Sequence, residues 1–165
     1  MTGTAISRAR RSRRLLLVVV AGLLAVALVV DPLARQALAG GRSIDLEVLQ
    51  LRLAYNTGVA FSMGDHVPSP VLLTVTGLIT AAIAVYAWRT APASSWLTVV
   101  GLAALFAGAA ANVVDRTLDG RVTDYLHTGW FPTFNLADTF LTCGVALLLV
   151  SLFVDARTEA KESAP

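Results

Sequence analysis

The chain has 165 residues, of which 56% are apolar and only 15% charged, with a mean hydropathy of +0.69. A soluble domain carries about 25% charged residues and a disordered chain is poor in apolar ones, so both classes are excluded. The net charge of +2 is too small, and its basic residues too scattered, for a nucleic-acid surface. The one cysteine, Cys143, excludes an internal disulfide and a cysteine-rich metal site.

The composition predicts an all-α membrane protein, a single domain over residues 1–165. Four apolar runs are long enough to be transmembrane helices, at about 15–30, 71–88, 96–114 and 139–154. A basic arm (1–14) precedes them and a polar tail (155–165) follows. Five arginines of the arm, Arg89, Arg157 and Lys161 fall on one side, against Arg35, Arg42, Arg52, Arg116 and Arg121 on the other. That bias predicts cytoplasmic termini and outward-facing loops at 31–70 and 115–138. Eight of the eleven acids lie in or beside those two loops, so the chemistry is expected at the outer face. The arm and first apolar run resemble a signal peptide, with Ala37-Leu38-Ala39 as a cleavage site. Asp31, Pro32 and Arg35 stand between the run and that site, which argues against cleavage.

The first outer loop predicts a small β segment. Ile44, Leu46 and Val48 alternate with acids, then Leu49, Leu51, Leu53 and Tyr55 alternate with Gln50 and Arg52. The phase slips between Val48 and Leu49, as at a β-bulge. Asn56-Thr57-Gly58, Gly64-Asp65-His66 and Pro68-Ser69-Pro70 mark turns before the second span. In span three, Ala103, Ala107 and Ala111 form a small-residue row that allows close helix approach and would bring Asn112 against a neighbouring helix. The second outer loop is aromatic, with Tyr125, Trp130, Phe131 and Phe134. It reads as an interfacial belt or as a wall for an apolar or lipid ligand. Asn112-Val113-Val114-Asp115 ends one span and Asn135-Leu136-Ala137-Asp138 begins the next. In each, Asn and Asp share a helical face, and helix capping is their simplest role.

Elimination narrows the chemistry. The lone lysine, Lys161, lies in the tail, so a Ser/Lys dyad fails. His66 and His127 stand beside no nucleophile elbow. Cys143 lies in span four with no His near it in sequence, and reads as a small core residue. There is no H-E-x-x-H, P-loop or G-x-G-x-x-G. Carboxylates remain: Asp115, Asp119, Asp124 and Asp138. Asp115 is explained by an ion pair with Arg116, and Asp119-Gly120 by a solvated turn. Two acids sharing one apolar site cannot both ionise, which is the arrangement of an aspartic protease. The chemistry alone leaves the choice of pair among the four open.

The residues also resemble a family. N-T-G-V-A-F-S-M (56–63), A-A-A-N-V-V-D-R (109–116), V-T-D-Y (122–125), F-P-T-F-N-L-A-D-T (131–139) and Asp31-x-x-x-Arg35 are similar to the motifs of the lipoprotein signal peptidases, or signal peptidase II. These are four-span aspartic proteases of bacterial membranes. The resemblance implies catalytic aspartates at Asp124 and Asp138, with supporting or substrate-binding roles for Asn56, Asn112, Arg116, Asn135, Asp31 and Arg35. Asp115 would be structural. The implied reaction removes the signal peptide of a diacylglyceryl-modified prolipoprotein just before the lipidated Cys. It implies no metal and no cofactor, and membrane lipid as the other partner; a monomer in the bacterial inner membrane is expected. The family's usual D-Q-x-x-K reads Asp31-Pro32-x-x-Arg35 here. Two other readings predict different behaviour. A metal-dependent lipid transferase would bind Mg²⁺ through the loop acids, and a non-catalytic four-helix subunit would have no activity.

Overall fold

The structure, a computed structural model, describes residues 3–57 and 67–162. The turns expected at Gly58 and at 64–66, and most of the N-T-G-V-A-F-S-M stretch, lie outside the described residues. The chain runs α1 (Gly3–Ala37), a short 3₁₀ turn (Ala39–Gly41), β1 (Ser43–Asp45), β2 (Gln50–Asn56), α2 (Ser69–Thr90), α3 (Trp96–Asp119), β3 (Val122–His127) and α4 (Leu136–Glu162). All four α-helices are long and apolar enough to cross a membrane. The protein is a mostly helical multi-pass membrane protein with one small three-stranded antiparallel sheet.

The helices outrun the apolar runs. α1 has 35 residues, about 52 Å at 1.5 Å per residue, against a hydrocarbon core of about 30 Å. The basic arm continues the helix, and the Arg13 guanidinium lies 4.7 Å over the Trp88 ring at the end of α2. α1 also runs through Pro32, which has no N–H to return to the preceding turn. Local signals set the other ends. Pro70 sits in the first turn of α2. Ser95 caps α3 by accepting from the Thr98 N–H at 3.4 Å. Gly120 ends α3 in the left-handed region (φ 70°), its N–H donating to the Arg116 carbonyl at 2.9 Å.

The helices alternate in direction. Arg13–Trp88 and Ser95–Asp155 contacts gather at one end, and Arg35–Asp115 and Ser69–Gly120 contacts at the other. α3 is central and packs on α1, α2 and α4. Its expected alanine row is buried: Ala103 joins Leu16 and Ala87 at the Ser95 end, and Ala111 joins Ala27 and Ala137 at the other. The closest backbone approach comes from glycines instead. A Cβ on Gly108 would sit 2.4 Å from the Ala137 carbonyl oxygen, and one on Gly144 would sit 2.7 Å from the Leu105 nitrogen. α3 and α4 therefore meet backbone to backbone. Leu17, Val18, Leu78, Leu152 and Phe153 remain exposed on the outside, which suits acyl chains as solvent.

The sheet corrects one expectation. The phase slip at Val48–Leu49 is a hairpin turn between two strands, not a bulge. β1 pairs with β2 through Ser43–Arg52, Ile44–Leu51 and Asp45–Gln50. The Leu46 N–H reaches the Leu49 carbonyl at 2.9 Å, the Glu47 N–H reaches the Asp45 carboxylate at 2.9 Å, and Glu47 takes φ 68°. An irregularity does occur, between Leu51 and Ala54 on β2 where it faces β3. The third strand comes from the second outer loop, so the sheet ties the two outer loops together.

Candidate active site

β3 and the head of α4 meet at the end of the bundle. Residues 122–125 are all buried, Asp124 among them at 4% exposure. Asp138 is the third residue of α4 and makes a reciprocal cap with Asn135. Its N–H donates to Asn135 Oδ1 at 2.9 Å, and the Asn135 N–H donates back to Asp138 Oδ2 at 3.2 Å. The capping role expected of Asn135 is present, and the same side chain does more. Its buried amide nitrogen faces Asp124 Oδ1 at 3.1 Å, Asn112 Oδ1 at 3.0 Å and the Thr123 carbonyl at 3.3 Å. Two amide protons are shared among three acceptors. Asn112 in turn donates to Asp138 Oδ1 at 2.9 Å. The two amides therefore link the two carboxyl groups, one from a strand and one from a helix. Asn56, the last residue of β2, also hydrogen-bonds Asp124.

Burial, and then the negative charge of Asp138, push the Asp124 carboxyl up to about 7, with Asp115 adding to the rise. The hydrogen bonds from Asn56 and Asn135 oppose that shift. Tyr125 is also raised, first by burial and then by its bond to Asp31.

Asp31 and Arg35, one helical turn apart on α1, take different partners. Asp31 is buried and accepts from the Tyr125 hydroxyl at 2.8 Å. That hydroxyl also accepts from the Leu136 N–H at 3.3 Å, so one phenol joins α1, β3 and the start of α4. Tyr125 is thus a buried tie rather than part of an interfacial belt. The Arg35 guanidinium forks onto α3, pairing with Asp115 at 2.6 Å and with Asp119, and donating to Thr123 Oγ1 at 2.8 Å. Asp115 also accepts from the Thr123 N–H at 2.6 Å. The ion pair of Asp115 therefore runs to Arg35 rather than to its neighbour Arg116, because successive helical residues point to different sides. Asp119, expected in a solvated turn, is the other tine of that fork. Arg116 is buried and lines the same cavity as Asp124 and Asp138.

That cavity holds about 750 Å³ and is bounded by α2, α3, α4 and the second outer loop. Asn56, Asn112, Asp124 and Asp138 all line it, and Ile79, Ile83 and Leu141 supply apolar wall. Trp130, Phe131 and Phe134 form its rim, stacked edge to face at 5.6 and 5.9 Å. Trp130 is 84% exposed. The site has two carboxyl groups, amide donors to hold them and an apolar approach from the spanning helices. Sequence reasoning passed over Thr123 and the Tyr125 hydroxyl, and assigned Asp119 to a solvated turn rather than to Arg35. The resemblance of V-T-D-Y (122–125) to a family motif was the signal that pointed to Asp124.

A bundle of this kind, with a carboxyl-headed cavity among its spans, defines an integral membrane enzyme. Comparison with known proteins gives its kind. The family described as signal peptidase (SPase) II matches residues 15–154. A lipoprotein signal peptidase of Rhodococcus jostii is 36% identical over 147 residues, covering 84% of this chain and 72% of that protein. One from Mycobacterium leprae is 34% identical over 148 residues, covering 85% and 72%. Two solved bacterial membrane enzymes share the fold. One has a TM-score of 0.75 at 25% identity over 91% of this chain and 93% of that one. The other has 0.70 at 26% identity over 83% and 91%. The chain belongs to the signal peptidase II family and is a membrane protease.

Proposed function

We propose that this protease is an aspartic endopeptidase that removes the signal peptide of diacylglyceryl-modified prolipoproteins, cutting before the lipidated Cys. The observation that carries the reading is the amide bridge: Asn135 and Asn112 link Asp124 to Asp138 at the head of an apolar cavity. Membrane lipid surrounds the reaction, and the substrate's acyl chains approach along the aromatic rim. The working unit is a monomer of the bacterial inner membrane. Its termini are cytoplasmic and its site lies at the outer face, as the arginine distribution favours.

The proton starts on Asp124, the buried carboxyl raised to about 7. Asp138, at the head of α4, serves as the base. A water held between them attacks the scissile carbonyl carbon while Asp138 takes its proton, and Asp124 gives its proton to the carbonyl oxygen. The tetrahedral diol collapses as Asp138 protonates the departing Cys nitrogen and Asp124 recovers a hydroxyl proton. The C–N bond breaks, leaving a carboxylic acid and an amine. Asn112 and Asn135 hold the carboxyl groups in register, and Arg116 places positive charge beside them. No metal takes part. Asp115 and Asp119, two of the four acids a metal-dependent transferase would use, are already held by Arg35.

The test is cleavage of a diacylglyceryl-modified prolipoprotein by the purified chain, with and without EDTA. Cleavage should survive EDTA and fall about 10²–10⁴-fold in Asp124→Asn and in Asp138→Asn, with folding retained. Loss in EDTA alone would favour the lipid transferase, and activity in both variants would sink the dyad.

A further inference from the structure

The cavity reaches down between the spanning helices, and four threonines of those helices line it: Thr76 and Thr80 on α2, Thr139 and Thr142 on α4. Each gives its hydroxyl proton to its own helix. Thr76 donates to the Leu72 carbonyl at 2.8 Å, Thr80 to Thr76 at 2.7 Å, Thr139 to Asn135 at 3.2 Å and Thr142 to Asp138 at 2.9 Å. With the proton engaged, each oxygen presents only lone pairs to the cavity. The wall between them is apolar, from Ile79, Ile83 and Leu141. Facing helices thus offer hydrogen-bond acceptors in surroundings poor in water. The ladder begins next to one carboxyl group: Thr139 follows Asp138 directly, and Thr142 lies one helical turn further along.

A signal segment crossing the membrane travels as a helix, because its peptide groups must be satisfied internally. Hydrolysis needs an extended stretch at the scissile bond, and unwinding frees N–H groups that are costly to leave unpaired in an apolar site. We infer that the four threonines form an acceptor ladder for those N–H groups, so that the enzyme unwinds helical substrate segments as well as cutting them. The inference rests on the endopeptidase reading above. Thr74 supplies a comparison within the same helix. It makes the same kind of bond, to the Pro70 carbonyl at 2.8 Å, but it does not line the cavity.

The experiment uses two diacylglyceryl-modified prolipoproteins that differ only in the signal-segment turn ahead of the cleavage motif, leucine-rich in one and glycine-rich in the other. The readout is the ratio of their kcat/KM values. Thr80→Val with Thr142→Val should lower the leucine-to-glycine ratio about tenfold, the size expected for one or two lost hydrogen bonds. The paired Thr→Ser variants, which keep the oxygen, should restore the ratio, and Thr74→Val should leave it where it was. If the double variant folds poorly, Thr76→Val and Thr139→Val singly read the same ratio. An unchanged ratio overturns the ladder, and so do equal losses on both substrates, which a water route or a packing role would give. A wild type that cleaves neither substrate overturns the endopeptidase reading, and the ladder with it.

Discussion

Asn135 shows how few residues the site needs. One side chain starts α4 through its oxygen and holds Asp124 through its nitrogen. Asp124 carries a pH signature. Its folded value of about 7 stands above the ordinary 3.8, so between those values the folded chain binds more protons than the unfolded one. Stability should therefore fall as pH rises from about 4 to about 7 and level off above it. Melting curves in detergent should show that slope in the wild type and lose it in Asp124→Asn. The same ionisation removes the proposed acid, so kcat/KM should decline through an alkaline limb near pH 7, which belongs to the coupled pair. Arg35 makes a second case. A lysine has no planar fork for the Asp115 and Asp119 carboxylates together, so Arg35→Lys should cost about 1 kcal/mol, limited by the partial exposure of the pair. In a double-mutant cycle, Asp119→Asn should then add little on the Arg35→Lys background. Four acids stood out in the sequence by elimination, and only the resemblance of V-T-D-Y and F-N-L-A-D to family motifs singled out Asp124 and Asp138 among them. The fork did not, because its members are separated by 80 and 84 positions.

At the scale of elements, the four helices were legible from apolar length, and their ends less so. α1 passes Pro32 and takes in the basic arm, neither of which carries an apolar signal. β3 was hidden because residues 122–125 are buried on both faces, which erases the period of two that marks a half-buried strand. The β1–β2 turn was hidden because Leu46, Val48 and Leu49 occupy it and Glu47, not glycine, takes the positive φ. The glycines of α3 and α4 matter more than the alanine row for the site, since Gly108 lies one turn before Asn112 and packs on Ala137, the residue before Asp138. Gly108→Ala should push the helices apart, lower stability by about 1–3 kcal/mol and depress cleavage by separating the two amides. Gly77→Ala, where an added Cβ meets nothing within 4 Å, should be neutral or slightly stabilising. Thermal unfolding of both variants, with activity, checks the pair.

For the whole molecule, the alternation of the helices fixes which ends lie together, and the proposed sidedness rests on the arginine distribution. In a Cys143→Ala background, Ser43→Cys at the sheet should react with a membrane-impermeant thiol reagent in intact cells. Ala93→Cys, between α2 and α3, should react only after permeabilisation. The opposite pattern would overturn the proposed orientation. Asn135, which with Asn112 holds the two carboxyl groups together, also starts α4 and bonds the β3 backbone at Thr123. A drug built to span both acids therefore meets a target whose spacing cannot drift without unfolding its own scaffold. Resistance should arise at the rim, with Trp130 the first residue to change.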